Sequence, residues 1–186
     1  MNLKCGITPK QFKDIIKKNL QLNNPKTIMV WGGPGIGKTE ICYQLGEEEK
    51  TPIVSMILTL YDPTEVKGLM IYDPELKIVR TVPMIDLPKE RFIFLIDEIN
   101  TAPPAVRDAC LRIIQEKKIA DTQLPEDTMI ILAGNRNQDK INPSRFTAPF
   151  INRCCHLMLE PSFDDWKEWG YVSGNIHPSI YAYLQR

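Results

Sequence analysis

Histidine is nearly absent from this chain, with two copies in 186 residues, and none of the five cysteines stands in a CxxC pair. A zinc site draws on clustered His and Cys, so these shortages argue against one. Five cysteines, an odd count, also suggest no disulfide framework. The thiols are expected to be reduced, as in a cytoplasmic protein, with the adjacent Cys154 and Cys155 serving strand packing. Long apolar runs are missing too. The longest, such as FIFLI at residues 92–96, fall far short of a membrane span. The opening MNLKCGITPKQF lacks the apolar segment of a secretory signal. There is no excess of either charge, with 23 basic and 23 acidic residues. That balance calls for neither nucleic acid nor an anionic membrane as partner. No repeat or low-complexity segment is present.

What is there is a regular alternation of elements. Thr8-Pro9-Lys10-Gln11 predicts a capped helix start, followed by an apolar face of Phe12, Ile15, Ile16 and Leu20. Buried strands are predicted at TIMVW (27–31), PIVSMIL (52–58), RFIFLIDE (91–98), TMIILAGN (128–135) and CHLMLE (155–160). Helices are predicted over 39–48 and 103–117, with a capped turn at 62–68 and a hairpin around Asp73-Pro74-Glu75. Continuous rather than alternating apolar strands, separated by helices, predict a parallel α/β sheet covered on both faces. Ligands of such sheets bind beyond the carboxyl ends of the strands. The polar residues Gly32 onward, Asp97-Glu98 and Asn135 all fall there.

The stretch VWGGPGIGKTEI carries the most chemistry. Gly32-x-x-x-x-Gly37-Lys38-Thr39 sits between a predicted strand and a predicted helix, the context of a phosphate-binding loop. Backbone amides of Gly33, Pro34-flanked Gly35, Ile36, Gly37 and the helix start through Glu40 can line a polyphosphate where the helix dipole favours negative charge. Side chains at Gly33, Gly35 or Gly37 would hold the phosphate off or forbid the dihedrals. Lys38 is placed to reach the outer phosphates and the Thr39 hydroxyl to ligate Mg²⁺. Asp97 is assigned to the metal and Glu98 to the attacking water, because phosphoryl transfer to water needs both positioning and charge neutralisation. Asn135, closing the fourth strand, is either a γ-phosphate or water sensor or a turn residue of AGNRNQD. Arg153 and Arg145 are candidates for neutralising transition-state charge from a neighbouring subunit, with a solvent-exposed or ion-paired arginine favoured by composition alone.

Taken together, VWGGPGIGKTEI, DPTEVKGL, FLIDEINTAPPAVRDACL, LPEDTMIILAGNRNQD, PFINRCCHL and DDWKEWG resemble the AAA+ ATPases, specifically the MoxR-like group. The resemblance implies a three-layer P-loop core whose five parallel strands lie in the order five-one-four-three-two. It implies binding of ATP and Mg²⁺ between subunits of a ring, usually hexameric. It makes Asn135 sensor one and Arg153 the arginine finger, with Arg145 at a nearby basic position. It sets residues 69–82 as an inserted hairpin that faces a partner or the pore. The group's members look like chaperones or remodelling motors that commonly work with a von Willebrand A domain protein. Residues 1–170 correspond to the nucleotide-binding core and 171–186 to the start of a helical lid. The rest of that lid lies beyond the sequence, so weak hydrolysis is expected of this stretch alone. The competing reading is a nucleotide-gated assembly or adaptor module with little turnover. A small-molecule phosphotransferase is disfavoured, because no arginine-rich acceptor pocket is visible.

Overall fold

The first helix, α1 (Pro9–Leu20), begins where its cap predicts. The Thr8 amide donates to Gln11 Oε1 at 3.0 Å and the Gln11 amide to Thr8 Oγ1 at 3.4 Å, so two orphan donors are satisfied reciprocally. The computed structural model describes residues 6–135, 146, 148–174 and 176–184. After α1 come β1 (Ile28–Trp31), α2 (Lys38–Glu48), β2 (Ile53–Ile57), a 3₁₀ turn (Leu58–Leu60) and α3 (Pro63–Lys67). Next are β3 (Leu69–Asp73), β4 (Ile78–Val82), β5 (Ile93–Asp97), α4 (Pro104–Glu116), β6 (Lys118–Ile119), β7 (Thr122–Gln123) and β8 (Met129–Gly134). The chain closes with α5 (Ala148–Ile151), β9 (Cys155–Met158), α6 (Phe163–Ser173) and α7 (Pro178–Leu184).

Five strands form one parallel sheet in the order β2-β5-β8-β1-β9. Counted along the main sheet this is the five-one-four-three-two order that the resemblance implies. Both faces are covered, and β5 shows how. Ile93 and Leu95 join Phe12 and Ile16 of α1 and Ile41 and Leu45 of α2, whereas Phe94 and Ile96 join Val66 of α3 and Val106, Cys110 and Ile113 of α4. A strand sandwiched this way needs an apolar residue at every position, hence the uninterrupted run. Full burial of each such side chain contributes about 1.5–3 kcal/mol.

Two antiparallel hairpins stand off the sheet. β3 pairs with β4 as the turn residues predict, and much of that hairpin's apolar surface is exposed, including Met70, Tyr72 and Val79. The β6–β7 hairpin is too short and polar to register as a sequence pattern. Its turn residue Asp121 accepts from the Thr81 amide at 2.7 Å and its own amide donates to the Thr81 carbonyl at 3.1 Å, tying the two hairpins together.

The DDWKEWG segment starts α6 and closes a joint with α1. Asp165 Oδ2 accepts from the Lys10 amide at 2.7 Å, while the Asp165 amide donates to the capping hydroxyl of Ser162 at 3.2 Å. Partial burial works against the carboxylate. Hydrogen bonds from the Thr8 hydroxyl, the Lys10 amide and Ser162 outweigh it, and the net effect is an acid held below its ordinary value. The nearby Lys10–Glu168 ion pair is 2.8 Å long but 60% exposed on both sides, so it adds little. Asp165→Ala is expected to cost about 1 kcal/mol at neutral pH, the scale of a lost helix cap. A group whose folded pKa is depressed contributes stability above its unfolded value, and loses it as pH falls through the folded one. Thermal melts of wild type and variant should therefore differ at pH 7 and converge as the pH drops below about 4, near the 3.8 of an unperturbed aspartate. Melts that stay apart in acid would place the stabilisation elsewhere.

Trp166 stacks with Phe163 and packs against Tyr181, whereas Trp169 is 39% exposed. The helical spacing alone favours packing for both, and only the first follows it. Cys42 and Cys110 are buried and Cys154 packs on the core, but Cys155, in the outermost strand, is exposed. Burial pushes the Cys42 and Cys110 thiols up to about 12 and Cys154 up to about 11, so these three are poor nucleophiles. Among the described residues no helix is long and apolar enough to cross a membrane.

Candidate nucleotide site

β1 delivers the glycine-rich loop to the carboxyl edge of the sheet, where the Gly32 amide donates to the Gly134 carbonyl at the end of β8 (3.2 Å). Gly35 and Gly37 adopt φ of +73° and +91°, a region that strains residues with a Cβ. Gly37 then acts as the N-cap of α2, and its carbonyl accepts from the Ile41 amide at 2.9 Å. The loop thus ends on a helix start, where free amides and the macrodipole both favour an anion. Pro34 and Gly35 are exposed at the loop tip, Ile36 is half-buried against the core, and Glu40 is exposed in the first turn of α2, bonded by Gln44.

Lys38 is buried, at 8% exposure. Its ammonium donates to the carbonyls of Gly32 (3.0 Å) and Gly33 (2.9 Å) and to Asn135 Oδ1 (3.2 Å). The cation is therefore held inside the loop's curve, its charge spread over neutral acceptors. Thr39 Oγ1 donates to Asp97 Oδ2 at 2.6 Å, and Asp97 Oδ1 accepts from the Glu98 amide at 2.8 Å. α2, β5 and β8 thus bring Lys38, Thr39, Asp97 and Asn135 to one place. No cluster of three or more His, Cys, Asp or Glu able to hold a metal occurs among the described residues. The hydroxyl–carboxylate pair of Thr39 and Asp97 still fits Mg²⁺, which keeps several waters and takes one or two protein oxygens beside phosphate.

Glu98 follows β5 with φ of +56°, an unusual conformation for a side-chain-bearing residue that costs about 1 kcal/mol or more. Its carboxylate accepts from Thr59 Oγ1 at 2.6 Å, in the 3₁₀ turn after the neighbouring strand β2. Asn100, two residues further on, is 1% exposed and bonds the main chain of Asn135. Sequence reading missed both Thr59 and Asn100. Asn100 had a signal: a polar residue between Ile99 and Ala102, both buried, must find a partner.

The structure does not bring Arg153 to this loop. It sits in the turn between α5 and β9, and β9 begins opposite Ile28, whereas the loop leaves β1 after Trp31 at the other end. That turn is tied to β1. Trp31 Nε1 donates to His156 Nδ1 at 3.0 Å, and His156 Nε2 lies 2.9 Å from the Ile151 carbonyl. Arg145 lies outside the described residues.

A parallel sheet in this order, with a glycine loop on the first strand and an acid pair on the third, defines a P-loop nucleotide-binding domain with an AAA+ core. The sequence profile of the AAA domain, dynein-related subfamily, matches residues 27–154. The chain belongs to that family. Among solved structures, one from Cytophaga hutchinsonii ATCC 33406, described as a "putative ATPase", is similar at 18% identity with a TM-score of 0.60. The similarity covers 90% of this chain and 51% of that one, so this chain spans about half its length. At that identity the likeness concerns the fold. No curated protein matches.

Proposed function

We propose that this chain binds ATP with Mg²⁺ and hydrolyses it, as a ring-forming chaperone or remodelling ATPase of MoxR-like type. The observation that carries the reading is the convergence of Lys38, Thr39, Asp97 and Asn135, from three elements, at the mouth of a glycine loop that ends on a helix start. In this reading, the amides of Gly33 and of residues 35–40 cradle the phosphates and Lys38 holds the outer ones. Thr39 and Asp97 would hold Mg²⁺, which supplies charge neutralisation on the phosphate oxygens when bound. Glu98 takes the proton of the attacking water, after leaving the Thr59 hydroxyl that now engages it. Asn135 orients that water or the γ-phosphate. Arg153, remote from its own loop, serves the site of the next subunit in a ring, usually a hexamer, and Arg145 is a second basic candidate. Residues 1–170 form the nucleotide-binding core and 171–186 open the lid. The exposed β3–β4 hairpin faces a partner or the pore, and a von Willebrand A domain protein is the partner class the group suggests. The cellular setting is cytoplasmic.

Calorimetric titration with ATP and Mg²⁺ tests the central step. Wild type should take up nucleotide, and Lys38→Ala should weaken uptake by at least about tenfold, about 1.4 kcal/mol. No uptake by the wild type, or equal uptake by the variant, would remove the basis of the reading.

The Thr59–Glu98 bond favours a second reading, a nucleotide-gated adaptor with little turnover, because the carboxylate that should activate water is already engaged. Nucleotide-dependent association without phosphate release would decide for it.

A further inference from the structure

Asn100 contributes nothing to the cradle, yet it is the most buried polar side chain next to it, at 1% exposure. Its amide makes two bonds to one residue. The Asn135 amide donates to Asn100 Oδ1 at 3.0 Å, and Asn100 Nδ2 donates to the Asn135 carbonyl at 2.9 Å. A primary amide that both accepts from and donates to one residue's main chain imitates a neighbouring strand. It does so where real pairing has stopped. β5 and β8 are in register through Ile96 and Leu132, and the last main-chain bond between their extensions is Ile99 N to Ala133 O at 3.1 Å. The chain between them turns at Glu98, so the Asn100 side chain takes over as the next rung.

Gly134 lets this happen. A Cβ there would lie 2.9 Å from Asn100 Oδ1, 2.8 Å from Met29 Cε and 3.2 Å from the Trp31 ring. Any larger residue would push the Asn100 amide away from Asn135. The result is a short chain of contacts from the acid turn to the cradle. Asn100, two residues after Glu98, fixes the Asn135 main chain, and the Asn135 side chain accepts from Lys38 Nζ at 3.2 Å. Without the clamp Asn135 would be a strand end with an unpaired amide and carbonyl, free to swing its side chain off the lysine.

We propose that Asn100 is a positioning residue that sets the Asn135 side chain relative to Lys38 and the Glu98 turn. Its catalytic consequence rests on the ATPase reading above; the clamp itself does not. Such a residue acts on turnover through geometry, where a displacement on the order of 1 Å can cost about a hundredfold.

The test has an arm that needs no activity. In the wild-type chain without nucleotide, the Asn135 amide should exchange slowly with deuterium by NMR, and in Asn100→Ala at least about tenfold faster, with core amides of β5 unchanged. With ATP and Mg²⁺, Asn100→Ala should lose about ten- to a hundredfold in kcat with a nucleotide Kd within about twofold of wild type. In an Asn135→Ala background, adding Asn100→Ala should cost nothing further, since both act through one side chain. Asn100→Asp covers the case in which the alanine variant fails to fold. Its carboxylate can still accept from the Asn135 amide but repels the Asn135 carbonyl, so this near-isosteric variant should also lose about ten- to a hundredfold in kcat with Kd kept within about twofold.

Unchanged Asn135 exchange in Asn100→Ala overturns the clamp. Wild-type kcat in that variant, a loss confined to Kd, or a full additional loss on top of Asn135→Ala overturns the positioning role, as does wild-type kcat in Asn100→Asp. If the wild type hydrolyses no ATP, the ATPase reading fails on its own and the exchange arm alone decides the clamp.

Discussion

Arg153→Ala is expected to lower ATP turnover by about 10³-fold or more while leaving nucleotide binding nearly intact. The size follows from what an arginine does in phosphoryl transfer. Charge spreads over the equatorial oxygens in the transition state, and a guanidinium supplied from outside the cradle neutralises it, worth on the order of 10³–10⁵ in rate. The structure makes a within-chain role hard to reach. Arg153 lies two residues before Cys155, which is level with Ile28, at the opposite end of β1 from the loop. With the arginine supplied by a second chain, turnover per subunit should rise with protein concentration. The sharper measurement mixes two inactive variants. Glu98→Gln chains carry an intact arginine and Arg153→Ala chains carry an intact carboxylate. A mixed ring contains interfaces where the first completes the site of the second, so phosphate release should reappear on mixing. Silence in a mixture shown to associate, or concentration-independent wild-type turnover, would count decisively against a trans arginine.

Glu98→Gln should bind ATP as well as wild type and lose about 10²–10⁴ in turnover, the range of a positioned general base. The amide keeps the shape and can still meet the Thr59 hydroxyl, so the backbone turn at φ +56° should survive. What it loses is basicity. Asp97 is a different case despite its adjacency. Its carboxylate faces Thr39 and the Glu98 amide, toward the cradle, while that of Glu98 points across to the β2 side. Replacing Asp97 by Asn should therefore weaken the Mg²⁺ dependence of binding itself, which a base variant leaves alone. Single-turnover measurements with bound nucleotide separate the two. A Glu98→Gln protein that turns over at the wild-type rate would return the carboxylate to a structural role.

How much of this was legible beforehand depends on the range of the forces involved. The five main strands were visible because burial on both faces demands uninterrupted apolar runs, and FIFLI or MIILA can meet no other demand so well. The α1 start was visible because its capping box closes within four residues. The short β6–β7 hairpin was not, since two-residue strands leave no period to detect, and its turn is held by Thr81 from another hairpin. Trp169 shows a limit of another kind: it lies three residues after Trp166 on α6, yet it stays 39% exposed while Trp166 packs on Tyr181, because whether a neighbour is there to pack against is not a property of the helix.

The cradle and the order of its chemistry are readable along the chain alone. A glycine-rich bend, a lysine, a hydroxyl and an acid pair at a strand end act through neighbours along the chain, so their spacing carries their meaning. Which polar groups meet across the sheet depends on the folded arrangement. Thr59 holds Glu98 across 39 residues, Asn100 clamps Asn135 across 35, and His156 joins Trp31 across 125. That arrangement also puts the turn of Arg153 before the end of β9 that is level with Ile28, away from the loop that follows Trp31. These pairings come from strand order and register, which long-range packing sets and no local pattern records.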